Sequence, residues 1–455
     1  MRQKRNSSTV LFLIIFVGII SGIIYLYNSK LFERDLPIVT MTSAQYWNLK
    51  EPIDVSIEDE SGIKYYEVKM ISADGEKVLS HEALLVPQKK LELKVEFPQM
   101  SQRIQDKEIA IVVTAVDGSQ WNFFSGNSAS IEKRFIIDKR KPLVTLVTNS
   151  YGIYKGGSAL VVFKANDENM NELYVEVNKE KRFKVQPFYK EGYYVALVAW
   201  PVVQKNFDAR VVATDKAGNK TQIHIPYYHK AKNYRVSKMK LSDRFLKGKI
   251  ATLAAEYPET QGVDDPIEQF KIINEQVRAN NEKTIHTITS KVSNETISEF
   301  SIKPFYPLKN GQKVASFGDH RLYYYDNQKV SESYHLGLDL ASVKMAEIKS
   351  QNHGVTVFAE ENGIYGNLPI IHHGMGLYTI YGHCSSLKVA PGDAVKPSQQ
   401  IANTGLSGYA MGDHLHFGIL VQGVEVRPEE WMDEEWIRLN ITDVMKNAKK
   451  LIGRS

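Results

Sequence analysis

The sequence predicts a mainly β protein, and three observations carry the prediction. Between residues 36 and 230, short runs rich in Val, Ile, Tyr and Phe alternate with Asp, Gly and Asn turns, the period-two pattern of strands. That region repeats itself: Pro37-Ile38-Val39-Thr40 returns 105 residues later as Pro142-Leu143-Val144-Thr145, and Val113-Thr114-Ala115-Val116-Asp117-Gly118 returns in approximate form as Val212-Ala213-Thr214-Asp215-Lys216-Ala217-Gly218. Near the C-terminal end, short apolar stretches of alternating character carry histidines: 334–341, 378–383 and 414–418. These again read as strands.

The first element is not β. Residues 9–27 carry no charge and are flanked by Arg2, Lys4 and Arg5 before and by Lys30, Glu33, Arg34 and Asp35 after. About 20 apolar residues span a bilayer as a helix. The basic flank belongs in the cytoplasm, so 1–8 is expected to be a cytoplasmic tail, 9–28 a transmembrane anchor, and the rest extracytoplasmic. Tyr27-Asn28-Ser29 offers no small-x-small cleavage site, which favours an uncleaved anchor over a signal peptide.

Each repeat copy has the size of a small sandwich of about 100 residues. Residues 36–140 and 141–232 are therefore expected to be two tandem immunoglobulin-like β-sandwich modules, serving for spacing or docking and carrying the C-terminal end away from the membrane. Residues 233–300 read as a short helical connector. One helix is expected at 242–256, capped by Ser242, with Phe245, Leu246, Ile250, Leu253 and Ala254 at helical spacing. A second is expected at 265–282, with Pro266 in its first turn and Phe270, Ile273 and Val277 on one side. Such a connector either links two domains or covers the groove beside it. Residues 301–432 return to strands and form a further expected domain, which holds the histidine-bearing stretches. Residues 433–455 are expected to be an amphipathic helix on its outside.

Composition narrows the classes. The chain has 455 residues, enough for roughly three domains, and a net charge of +5. No basic block with interleaved aromatics marks a nucleic-acid partner. The single cysteine, Cys384, excludes an intramolecular disulfide and reads as a small buried hydrophobe.

In 334–341 the alternation puts His335, Gly337 and Asp339 on one face and Leu336, Leu338 and Leu340 on the other. In 414–418 His414, His416 and Gly418 share a face, with Leu415 and Phe417 behind. Any one such histidine is most often a core or surface residue; the set, with His383, is much harder to attribute to chance. Imidazole nitrogens and a carboxylate are what zinc prefers, and three protein ligands leave a position for water. His335, Asp339, His383, His414 and His416 are five candidates for three ligand places. Spacing does not choose among the last three.

At these residues the chain resembles the lysostaphin or LytM-type zinc metalloendopeptidases, which cut peptide cross-links of bacterial peptidoglycan. The family's His-x-x-x-Asp, Thr-x-Tyr-x-His and His-x-His are here His335 to Asp339, Thr379-Ile380-Tyr381-Gly382-His383, and His414-Leu415-His416. Phe317-Gly318-Asp319-His320-Arg321 is similar to its Phe-Gly-x-Arg element. The resemblance covers roughly 301–430 and implies an antiparallel β-sheet peptidase with one Zn2+ per chain, bound by His335, Asp339 and His416. His383 and His414 then match the positions that act on water and on the tetrahedral intermediate. Departures are Cys384, where leucine is common, and the 407–413 loop, which bears on substrate preference.

The function implied is hydrolysis of peptide bonds in peptidoglycan stem peptides or cross-bridges by a protein of the cytoplasmic membrane, working in the periplasm where the host has an outer membrane. Cell-wall or division proteins are the partners expected for the sandwich modules. The rival class is a non-catalytic wall-binding protein or amidase activator. Relatives of that kind have lost ligands, and all five positions are filled here.

Overall fold

A computed structural model of the chain describes residues 7–98 and 106–454. Most of the expected cytoplasmic tail therefore lies outside the described residues. The chain divides into two compact units, the first built mainly from residues 1–141 and the second mainly from 142–455.

In the first unit a helix covers Ser7–Asn28, and its stretch Thr9–Asn28 is long and apolar enough to cross a membrane. A six-stranded sheet comes next, in the order Ile38–Met41, Ile53–Ser72, Glu108–Asp117, Ser128–Ile137, Tyr46–Trp47, with Gly75–Val95 paired to Ile53–Ser72. Register breaks between Glu58 and Tyr65 interrupt the long hairpin. The alternation that predicts strands also builds the core: Ile53, Val55, Ile57, Val68 and Met70 pack with Ile109, Ile111, Val113, Phe135 and Trp47. The sequence repeat has a hydrogen-bonded counterpart. Asn127 pairs with both carboxylate oxygens of Asp117 and donates to the Glu33 carbonyl at 3.0 Å. Asn219 does the same with Asp215 and donates to the Asp138 carbonyl at 2.8 Å.

Residues 142–224 hold two four-stranded sheets. One runs Lys181–Lys184, Met170–Val177, Ala209–Asp215, Lys220–His224; the other runs Gln186–Pro187, Tyr193–Ala199, Ser158–Asn166, Leu143–Asn149. Segment 233–300 is helical only from Asp243. It opens with the strand Val236–Lys240, which pairs in parallel with Asp319–Tyr325. Ser242 then accepts from Phe245 N at 3.3 Å, and Asp265 from Ile267 N at 3.0 Å. The second helical stretch continues to Thr289, past the expected end at 282, because Ile285 and Thr289 extend its buried face.

The C-terminal sheet has eight strands. Its order is Gln312–Ala315, Leu338–Ala341, Leu415–Val421, Leu377–Gly382, Asn367–His372, Gly354–Glu361, Ala394–Val395, with Val424–Val426 also paired to Leu415–Val421. All its pairings are antiparallel. Leu246, Ile250, Phe270, Ile273, Val277 and Ile285 of the helices share one core with Ile370, Tyr378, Ile380 and Leu420 of this sheet. The helices are thus packed onto the sheet rather than strung beside it. His416 and Leu420 point to the same face of their strand; the helices cover Leu420, and a cleft opens toward His416.

The C-terminal helix corrects the sequence reading. Asp443–Arg454 lies chiefly against the strands Leu143–Asn149 and Ser158–Asn166, not on the eight-stranded sheet as expected. The Asn440 carbonyl accepts from Ser150 Oγ at 2.8 Å, and Trp431, fully buried, donates from Nε1 to Ser158 Oγ at 3.0 Å. The buried apolar edge Val444, Met445, Ala448 and Ile452 needs a hydrophobic surface, and these strands supply it.

Candidate metal centre

Leu415–Val421 is the central strand of the site. Asp339 stands directly opposite His416 on one side and Gly382 on the other. His335 arrives differently from the expectation. The stretch 334–341 is not one strand: Gln328–His335 ends in the smaller sheet, Leu338–Ala341 begins in the larger, and Leu336-Gly337 makes the passage. The passage runs tight against the site, since a Cβ on Gly337 would lie 2.7 Å from His416 Cε1 and from the Phe417 carbonyl. Only glycine allows that approach.

Three donor atoms converge. His335 Nε2 lies 2.9 Å from Asp339 Oδ1, His416 Nδ1 lies 2.9 Å from the same oxygen, and the two nitrogens are 3.1 Å apart. The other nitrogen of His335 faces the Ser316 carbonyl at 2.9 Å, so it carries the proton there. His335 Nε2 and Asp339 Oδ1 thus face each other at the distance that ligands of one shared cation would keep. His416 Nε2 is buried with no hydrogen-bond partner among the described residues. This is the chemistry of a zinc site of two imidazoles and a carboxylate, with the orienting hydrogen bond on the first imidazole that such sites use. The residues present fit the metal.

Electrostatics agree. Burial works to raise the Asp339 carboxyl, but hydrogen bonds and charge interactions from His335 and His416 hold it well below the usual carboxylate range. Burial lowers His416, helped by repulsion from His335 and His414 and opposed by Asp339. Burial pushes His383 down to about 3, with His416 and His414 adding repulsion.

His383 comes just after the strand Leu377–Gly382 in a left-handed conformation, φ 64°, rare for a residue with a Cβ. Its N–H donates to the Tyr365 carbonyl at 2.8 Å, and its Nδ1 donates to the Ser407 carbonyl at 2.9 Å, leaving Nε2 as the acceptor. His414 is anchored by Nδ1 on the Gly412 carbonyl at 2.7 Å, with Nε2 3.7 Å from Asp339 Oδ1. The rings of His383 and His414 are 4.8 Å apart. All five sequence-predicted residues line one cleft of about 580 Å³. Cys384 is buried, its thiol pushed up to about 12 by desolvation, as befits a packing residue.

Other residues of the cleft were given no role by the sequence. Arg321 Nη2 lies 3.9 Å from Asp339 Oδ2 and its Nε 3.6 Å from Asp319 Oδ2, placing a cation behind the carboxylate. Its place in the Phe317–Arg321 element was the available signal. Phe245 and Arg278 come from the helical segment, and Phe245 stacks on Tyr409 of the 407–413 loop at 6.0 Å. Tyr365 sets its ring 5.6 Å from that of His416. No local pattern announces these last three.

An antiparallel sheet that presents an imidazole and a carboxylate at the floor of a cleft, joined by a second imidazole from the end of a neighbouring sheet and with two further histidines beside them, defines a metallohydrolase-type site. Residues 333–428 match peptidase family M23. Among characterised proteins the chain is similar to the DD-carboxypeptidase/endopeptidase Mpg of Neisseria meningitidis serogroup B, 33% identical over 94 residues, 21% of this chain and 22% of that protein. It is similar to the murein hydrolase activator EnvC of Escherichia coli, 31% identical over 111 residues, 24% of this chain and 26% of that protein. The crystallised catalytic domain of lysostaphin from Staphylococcus simulans matches 27% of this chain and 92% of its own length at 26% identity, with a TM-score of 0.24. The chain spans about a quarter or less of the length of Mpg and EnvC.

Proposed function

We propose that this chain is a zinc endopeptidase of peptidoglycan, anchored in the cytoplasmic membrane by residues 9–28 and working outside it. The observation that carries the reading is the convergence of His335 Nε2, Asp339 Oδ1 and His416 Nδ1 within 3.1 Å of one another.

His335, Asp339 and His416 would hold one Zn2+, which when bound supplies Lewis-acid polarisation of a scissile carbonyl and acidifies water toward neutral pH. The remaining work falls to the chain. His383, kept neutral by burial, accepts the proton of the attacking water on Nε2 and passes it to the leaving amine nitrogen. His414, held by the Gly412 carbonyl, presents Nε2 toward the same place, where a ring N–H would donate a hydrogen bond to the developing oxyanion. The exchange of these two roles is equally compatible with the pair. Phe245, Tyr365 and Tyr409 contribute aromatic walls to the cleft.

The substrate class rests on the anchor, which sets the catalytic domain against the wall, and on Mpg, whose name describes a DD-carboxypeptidase and endopeptidase. Residues 36–140 and 141–232 are read as spacing or docking modules through which cell-wall or division proteins would be met. The test is digestion of purified peptidoglycan by residues 30–455 with zinc, beside a His416→Ala control, with the products read by mass spectrometry. Loss of cross-linked dimers in the active sample alone supports the proposal and names the bond. Silence of the unmodified protein, with zinc bound to it, overturns it in favour of the activator role that the name of EnvC describes.

A further inference from the structure

Within the first unit, loop 119–127 is tied to the chain just beyond the apolar helix. Gln120 N donates to the Leu31 carbonyl at 2.7 Å, and Ser119 Oγ and Asn127 Nδ2 donate to the Glu33 carbonyl at 2.6 and 3.0 Å. The helix ends at Asn28, three residues before Leu31. A chain spans at most about 3.5 Å per residue, so the tie lies within about 10 Å of the helix end. The polar headgroup layer of a bilayer is itself roughly 6 Å deep on each side.

What this loop presents is aromatic. Trp121, Phe123 and Phe124 are 37%, 99% and 72% exposed. They are continuous with the helix: the Arg34 guanidinium lies 4.2 Å from the Tyr27 ring centroid and 4.3 Å from that of Trp121, and the Phe32 and Phe124 rings meet edge to face at 6.5 Å. The backbone is bent to make this display. Asn122, Phe123 and Phe124 have φ of 52°, 55° and 68°, three successive left-handed residues without a glycine. Strain that turns two phenylalanines into water has no return in folding. It has one at a lipid surface, where apolar rings are buried and tryptophan and arginine sit at headgroup level.

We propose that residues 121–124 are a second, interfacial foothold, in which the left-handed turn lays Trp121, Phe123 and Phe124 into the outer leaflet of the same bilayer that holds residues 9–28. The inference rests on the proposed anchoring of that helix.

The single cysteine, Cys384, is buried, so an introduced surface thiol labels selectively. The full chain is reconstituted in vesicles of phosphatidylethanolamine and phosphatidylglycerol with a nitroxide at Phe123→Cys, at Ile15→Cys within the helix, or at Leu85→Cys, an exposed site on the strand Gly75–Val95. Collisions with oxygen are expected to exceed those with a water-soluble nickel complex at 15 and 123, with the reverse at 85. If 123 behaves like 85 while 15 is in lipid, the foothold is overturned and the anchor stands. If 15 also behaves like 85, both fall. A second readout needs no label: brominated lipid should quench tryptophan emission of the unmodified chain, and Trp121→Phe should lose that quenching. Equal quenching of both, or none in either, overturns the proposal.

Discussion

Asp339 and His416 face each other across neighbouring antiparallel strands, with Oδ1 2.9 Å from Nδ1. The pair needs no loop to hold it: its geometry is that of the sheet ladder, and His335 completes the triangle from the end of another strand. Replacing Asp339 with Asn keeps the shape and removes the charge. Zinc content, about one per chain for a three-ligand site, is expected to fall to near zero in Asp339→Asn and His416→Ala by elemental analysis. In the unmodified chain, zinc at about a hundredfold over its Kd should add roughly 2.7 kcal/mol of stability. That gain should disappear in both variants. Full zinc occupancy in either variant would refute the ligand assignment.

His383 should behave differently. It is assigned to the proton and not to the metal, so His383→Ala is expected to retain zinc while peptide cleavage drops by about 10² to 10⁴, the usual range for a positioned acid or base. Parallel loss of zinc and activity would move His383 into the ligand set.

Much of this site is legible in the sequence because its residues sit in short alternating motifs, where face and neighbour are set by period two. His335, Asp339, His383, His414 and His416 are all found in one cleft, although only Asp339 and His416 are brought together by strand pairing in the large sheet. What positions them is less legible. The Ser316 and Ser407 carbonyls that fix the two tautomers are backbone atoms, and no side chain signals them. The break at Leu336-Gly337 hides inside a flawless alternation of leucines, because it is set by the close approach of His416. Parallel pairing of Val236–Lys240 with Asp319–Tyr325 joins residues about eighty apart in sequence, and the C-terminal helix finds its partner strands nearly three hundred residues upstream. Local pattern is silent on such distances.

Gly337→Ala tests that close approach. The new methyl would meet His416 Cε1, His416 Nε2 and the Phe417 carbonyl, each at 2.7 Å, so His416 must shift. A displaced ligand should weaken zinc by about 10- to 100-fold, the scale seen when a ligand's support is removed. Overpacking should cost about 1–3 kcal/mol. Competition titration with a chelating dye and urea unfolding measure the two; unchanged zinc affinity would show that His416 tolerates the shift.

Glu430 gives the chain a pH dependence of its own. Its side chain is buried beside Ser158, whose N–H donates to Oε2 at 3.0 Å, while Oε1 has no hydrogen-bond partner and Arg427 stays 3.7 Å away. Burial pushes the carboxyl up to about 8, against the opposing pull of Arg427 and the Ser158 N–H. The folded state therefore keeps a proton that the unfolded chain gives up near its ordinary value of 4.5. Between those two values the native state binds more protons than the unfolded one, so stability falls as pH rises, by at most about 1.4 kcal/mol per unit. Below about pH 4.5 this penalty is absent; above about 8 it is complete. Glu430→Gln keeps an oxygen for Ser158 N and cannot ionise. Thermal midpoints of the two proteins should agree near pH 5, with the variant pulling ahead by several degrees toward pH 8.5. Parallel curves across the range would mean that Glu430 is already ionised in the fold and that Arg427 pairs with it more closely than the 3.7 Å separation implies.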